Sequence, residues 1–159
     1  ALGAFAAPKG RGERLPLPIA GGAILLIDES YNANPASMRA ALATLATLPR
    51  DRHPRRIAVL GEMLELGAEA RALHLDLAEA IDGAGIDLVF ATGPNMRALF
   101  DSLPAGKQGQ WAERASDLDQ PLASVLRPGD AVMVKGSNGS RTWQLVEALK
   151  ARSAATAAV

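Results

Sequence analysis

The sequence predicts an α/β domain: a mostly parallel sheet covered by helices on both faces, a three-layer sandwich with one antiparallel hairpin strand at its N-terminal side. Three observations carry this expectation. Short continuous apolar runs at 57–60 and 131–134 read as buried parallel strands, and they alternate with Ala- and Leu-rich segments whose apolar residues recur at helical spacing. Four of the expected strands end in polar or Gly-containing turns. At the start of the chain two β-prone runs are joined by Ala20-Gly21-Gly22, a hairpin signal.

Each element has its own reason. Residues 1–14, ALGAFAAPKGRGER, mix small residues with Pro8, Gly10 and Gly12 and begin without Met, which reads as a linker or the remnant of something upstream. The runs 15–19 and 23–27 form the hairpin, and Pro16 and Pro18, which lack ladder donors, place the first run on a sheet edge. Pro35 suits a first helical position, and Met38, Ala41, Leu42, Leu45 and Leu48 predict a helix over 35–48. A basic loop, 49–56, leads to a central strand at 57–60. One helix is expected over 66–84 from the stripe Leu66, Ala70, Leu73, Leu77, Ala80 and Ile81, ended by Gly83 and Gly85. A strand at 86–91, a helix at 95–103, a short strand at 108–112 and a helix at 116–126 capped by Ser116 follow. The last pair is a strand at 131–134 and a helix at 140–152, with the Ala-rich tail 153–159 frayed. Strands alternating with helices at this spacing imply crossover connections and a mostly parallel sheet.

Composition excludes several classes of function. The 159 residues suffice for one domain with a real core. Seventeen basic residues balance seventeen acidic ones and are interspersed, so neither a nucleic-acid surface nor a polybasic membrane patch is expected. With no cysteine there is no disulfide, thiolate metal site or cysteine nucleophile. No apolar run approaches the roughly 18 residues of a spanning helix, so membrane insertion is not expected and a cytoplasmic location is the default. His53 and His74 are too few and too far apart for a zinc site, and no Ser-His-Asp constellation or GxGxxG turn occurs.

The chemistry-bearing residues gather at the strand ends. In a parallel sheet those ends emerge on one edge, where ligands bind. In DESYNANP, residues 28–35, the polar side chains form either a site or only the turn and cap of the next helix. In KGSNGS, residues 135–140, two glycines allow close backbone approach, two serines offer hydroxyls, and a helix N-terminus and Lys135 favour an anion. The same residues also read as a capped helix with a surface lysine. GEMLELG, residues 61–67, brings Glu62 and Glu65 to the crevice or to solvent, and Thr92 and Asn95 in TGPN read as turn and cap. From the residues alone the expectation is a ligand-binding α/β domain with an anionic ligand.

These motifs, in this order, resemble the C-terminal domain of the Mur ligases over about residues 10–150. Asp28 to Pro35 with Ser37 and Met38, Gly61 to Gly67 with His74 downstream, and Val134 to Ser137 carry the likeness. SYNANP is the most specific of them and points to the members that add D-alanyl-D-alanine to UDP-N-acetylmuramoyl-tripeptide in peptidoglycan synthesis. The resemblance implies a Rossmann-like domain, residues 15–152, closing over a central ATPase domain of the same chain. It implies ATP-dependent amide formation through an acyl phosphate that the dipeptide amine attacks.

Matched residue by residue, the resemblance implies nucleotide contacts from Arg11, Glu29, Tyr31, Asn32 and Asn34, with Glu29 at the ribose, where many members have Asp. It implies contacts to the incoming dipeptide from Glu62, Lys135, Gly136, Ser137, Asn138 and Ser140. Members often carry Arg where this chain has Asn138, which leaves the carboxylate to Lys135 and backbone amides. ATP and Mg2+ belong to the full-length enzyme, whose phosphate loop, magnesium ligands and modified lysine lie in the central domain. No stretch here matches those parts, so the chain alone is expected to be inactive, monomeric, without catalytic or metal-binding residues of its own, and weak in ligand affinity. Two other readings stay open: a stand-alone nucleotide- or anion-binding module without catalysis, and an interaction domain whose polar strand ends are only caps.

Overall fold

Strand β1 (Glu13–Ile19) runs antiparallel to β2 (Gly22–Glu29), in register from Glu13 opposite Asp28 to Ile19 opposite Gly22. The computed structural model describes residues 7–158; the first part of the expected linker, residues 1–6, lies outside them. Four further strands follow: β3 (Arg56–Leu60), β4 (Leu88–Thr92), β5 (Gln108–Ala112) and β6 (Ala131–Lys135). The sheet order is β1-β2-β6-β3-β4-β5, and every pairing after the first is parallel. Pro16 and Pro18 thus sit on an edge strand, where a missing ladder donor costs least. β6 returns between β2 and β3, so its end emerges at the centre of the row of strand ends, where the chain changes direction across the sheet.

The period of two along the inner strands divides the core into two layers. Ala58, Leu60, Ala131 and Met133 face one side, covered by α1 (Pro35–Ala46), α3 (Leu77–Gly83) and α4 (Pro94–Ser102), with α2 (Ala70–Leu75) packed against α4. Ile57, Val59, Val132 and Val134 face the other, covered by α5 (Asp119–Val125) and α6 (Trp143–Ala157). Both inner strands are buried on both faces, which is why they read as continuous apolar runs. At the opposite end of the sheet, buried Asp130 accepts hydrogen bonds from Arg55 Nε at 3.0 Å, Arg55 Nη2 at 2.8 Å and the Arg127 amide at 2.7 Å.

Four details depart from the sequence expectations. The helix expected over 66–84 is a 3-10 turn (Gly67–Glu69) followed by α2 and α3, separated at Asp76. Asp76 stays right-handed helical (φ −62°, ψ −18°), so the apolar stripe runs through the break and periodicity could not reveal it. Ser116 caps nothing: it lies inside a 3-10 turn (Ala115–Leu118) whose preceding residue is Arg114. The last helix begins at Trp143, after a separate 3-10 turn (Asn138–Ser140) and a left-handed Arg141 (φ 62°). It also continues to Ala157, where fraying was expected, and Ser153 within it is buried.

Candidate functional site

The turn after β2 is built by side chains that hold backbone. Asp28 is buried and accepts hydrogen bonds from the amide and hydroxyl of Ser30, which bends the chain out of the strand. Asn34 then caps α1 reciprocally: its Oδ1 accepts from the Ser37 amide at 2.8 Å, and its own amide donates to Ser37 Oγ at 2.9 Å. Between these anchors Tyr31 and Asn32 are exposed. Gly10, at φ 79°, lets the N-terminal segment approach closely enough to accept from the Tyr31 amide at 3.0 Å. A cleft of about 280 Å³ results, lined by Gly10, Arg11, Glu29, Tyr31, Asn32 and Lys135, with the Arg11 guanidinium 4.0 Å from the Tyr31 ring centre.

Lys135 belongs to this cleft. Parallel register places it opposite Glu29, and its ammonium donates to the Asn32 carbonyl at 2.8 Å and lies 3.6 Å from the Glu29 carboxylate. Burial pushes the Lys135 ammonium below its ordinary value of 10.5, against the pull of Glu29. The folded chain therefore holds this proton less tightly than the unfolded chain. Its contribution to stability grows as pH rises through the window ending near 10.5, where the unfolded lysine also loses its proton. Lys135→Met is expected to flatten that alkaline gain, measured as the difference in unfolding free energy between variant and parent from pH 8 upward. A constant difference across that range would contradict it.

The loop after β3 is fixed by His74. This buried ring accepts from the Met63 amide at 3.0 Å through Nε2, while Nδ1 lies 2.6 Å from the Ala70 carbonyl, so the proton sits on Nδ1. Ser137 holds the same loop from the other side: its hydroxyl accepts from the Leu64 amide at 2.9 Å, and its amide donates to the Glu62 carbonyl at 3.0 Å. The Glu62 carboxylate reaches the start of α4, accepting from the Asn95 amide at 3.1 Å and its side-chain amide at 3.3 Å. Gly61 and Gly136 let the ends of β3 and β6 meet the turn above them. A Cβ on Gly136 would lie 2.5 Å from Ser140 Oγ and 3.0 Å from the Gly61 Cα. A second cleft of about 470 Å³ opens here, and Glu62, Thr92, Glu113, Arg114, Ser140 and Arg141 are among its walls.

The structure thus regroups the residues singled out from sequence. Arg11, Glu29, Tyr31 and Asn32 come together, and Lys135 joins them instead of the dipeptide set, because it is the β6 partner of Glu29. Asn34 is committed to the helix cap. Glu62 and Ser140 share the larger cleft, Gly136 and Ser137 are buried beneath it as packing and support, and Asn138 lines a third cleft beside Tyr31 and Trp143. The helix N-terminus expected at Ser140 lies at Trp143. Arg114 and Arg141 escaped the sequence reading. Arg141 directly follows KGSNGS, so its place in the chain was a usable signal; Arg114 sits in a turn with no motif around it.

A family model described as Mur ligase, glutamate ligase domain, matches residues 10–138. The chain belongs to this family. Among proteins similar to this Mur ligase domain is the UDP-N-acetylmuramoyl-tripeptide--D-alanyl-D-alanine ligase of Escherichia coli, 36% identical over 127 residues, covering 79% of this chain and 27% of that protein. The enzyme of the same name from Mycobacterium bovis is 36% identical over 168 residues, covering 92% and 32%. Among solved structures, MurF from Acinetobacter baumannii superposes with a TM-score of 0.76 at 25% identity, over 93% of this chain and 31% of that one. MurF from Thermotoga maritima, solved in complex with ADP, gives 0.77 at 22% identity over 94% and 32%, a likeness of fold. The Mur ligase domain therefore spans about a third of the length of its relatives.

Proposed function

We propose that the chain is the C-terminal domain of an ATP-dependent ligase that joins D-alanyl-D-alanine to UDP-N-acetylmuramoyl-tripeptide. It supplies the adenosine-side and dipeptide-side surfaces and has no turnover by itself. The observation that carries this reading is the pair of charged clefts on one sheet edge: Arg11, Glu29 and Lys135 in one, Arg114, Arg141, Glu62 and Glu113 in the other. A zwitterionic dipeptide finds both signs of charge in the larger cleft, guanidinium forks for its carboxylate and carboxylates for its ammonium end. Arg141, three residues after Asn138, gives that cleft a positive charge from the same turn. The nucleotide finds a carboxylate for ribose hydroxyls in Glu29 and a cation for phosphate in Arg11.

ATP supplies the phosphoryl group that makes the tripeptide carboxylate a good acyl donor; this chain's residues bind and orient. No group of three His, Cys, Asp or Glu side chains able to hold a metal occurs among the described residues. In this reading the magnesium ion, the phosphate loop and the tripeptide site belong to the central ATPase domain of the whole protein. The reading implies a cytoplasmic enzyme of cell-wall synthesis, and no described helix is long and apolar enough to cross a membrane.

The test is an amide chemical-shift titration of the chain with D-alanyl-D-alanine and, separately, with ATP. Shifts at Glu62, Thr92 and 139–141 for the dipeptide, and at 10–11, 29–32 and 135 for the nucleotide, are expected. Shifts at neither set, or ATP-dependent ligation by the chain alone, would overturn the reading.

A further inference from the structure

Gly12, the last residue before β1, sits beside the charged cleft of Arg11, Glu29 and Lys135 without lining it. It stands at φ 92°, and its amide donates to the Asp28 carbonyl at 2.7 Å. The stretch around it is tied down on two sides. The Gly10 carbonyl accepts from the Tyr31 amide, while Lys9 pairs with Glu147 of α6 at 3.0 Å and Glu13 with Lys150 at 3.6 Å. A Cβ on Gly12 would lie 2.9 Å from Glu29 Oε1, well inside the roughly 3.5 Å at which such atoms pack. The other oxygen of that carboxylate, Oε2, is 3.6 Å from the Lys135 ammonium. One oxygen of Glu29 thus neighbours an ammonium and the other the space of a missing side chain.

We infer that Gly12 is a positioning residue, whose missing side chain sets where the Glu29 carboxylate stands and so how it meets the ribose hydroxyls of the nucleotide. The inference rests on the proposed contact between Glu29 and the nucleotide. A methyl group at position 12 must displace something, and the tethers decide what. The backbone of 9–13 is held by hydrogen bonds to β2 and the turn after it and by ion pairs to α6. The carboxylate is the free end of a side chain that is 22% exposed, so it gives way. The fold survives, and the group that binds has moved. An aspartate at 29 would end about 1.5 Å earlier, one carbon–carbon bond, short of the place that Gly12 leaves open. The sizes of residues 12 and 29 are therefore coupled.

The parent chain, Gly12→Ala, Glu29→Asp and the double variant are each titrated with ATP and with 2′,3′-dideoxy-ATP, which lacks the ribose hydroxyls. The parent is expected to hold ATP about 10-fold better than the analogue, the scale of hydrogen bonds to a charged group. Gly12→Ala and Glu29→Asp are each expected to lose most of that preference. The double variant is expected to bind ATP no worse than Gly12→Ala, because both changes undo one contact. Backbone strain at position 12 acts on the fold and has no means of distinguishing the two nucleotides. Without ligand, the carboxylate carbon resonance of Glu29 is expected to move in Gly12→Ala. A Gly12→Ala chain that keeps the parent's preference, or ATP affinities that fall multiplicatively in the double variant, would overturn the inference and leave Glu29 as the ribose contact. A Gly12→Ala chain that does not fold would overturn it too, by making the backbone and not the carboxylate decisive at position 12. ATP-induced shifts at 29–32 without any preference in the parent would overturn the ribose contact and this inference with it. ATP that shifts nothing in the chain would overturn the nucleotide site as well.

Discussion

His74→Ala is expected to lower the unfolding free energy by about 3–5 kcal/mol, the sum of a buried-ring cavity and an orphaned amide. The ring is fully buried, and the Met63 amide has it as an acceptor at 3.0 Å. Removing the side chain leaves that N–H away from water with no acceptor and opens a void beside α2. The damage is local to a loop that matters: 61–67 carries Glu62, which both lines the larger cleft and tethers α4 through Asn95. Urea unfolding with an unchanged slope measures the cost, and amide spectra are expected to show the largest changes at 61–67 and Asn95. His74→Gln, which can still offer an acceptor, is expected to lose less than half as much. A loss below about 1.5 kcal/mol for the alanine variant would show that the loop does not depend on the ring.

Gly93→Ala is expected to cost about 2–4 kcal/mol, from backbone strain together with a disrupted helix cap. Gly93 stands at φ 102° and ψ 155°, a region that residues with a Cβ essentially avoid. A Cβ built there would also overlap the Glu62 carboxylate, which would have to give up its bonds to the start of α4. Chemical denaturation of the variant checks the number. The double variant Gly93→Ala, Glu62→Ala separates the two causes: if overlap with Glu62 matters, the combined loss falls short of the sum of the single losses. Strict additivity would assign the whole effect to the backbone.

Both positions show what was legible in the chain and what was not. GEMLELG and TGPN marked the strand ends from which Glu62 and Gly93 come, and the helix stripe placed His74 just after the loop. Nothing local says that Glu62 reaches Asn95, 33 residues away, or that a histidine points at the loop 11 residues before it. Lys135 shows the same limit. As a residue beside Gly136 and Ser137 it reads as part of one anion-binding turn, yet the parallel register of β2 and β6 hands its ammonium to Glu29 and Asn32. Residues 139–141 instead line the larger cleft with Glu62 and Thr92, at the ends of β3 and β4.

By itself the sequence determined the α/β class, the hairpin edge marked by two prolines and the continuous apolar runs of the central strands, whereas it left Asn34 open between helix cap and site. The features it determined rest on short-range physics: the missing donor of proline and burial of a strand on both faces. Only the tertiary structure decided that one strand-end motif divides among three clefts, that Arg114 and Arg141 share a cavity, and that Tyr31 and Trp143, 112 positions apart in sequence, line another. Such groupings follow from strand order and pairing register, which bring residues distant along the chain to one edge, and no local pattern encodes them.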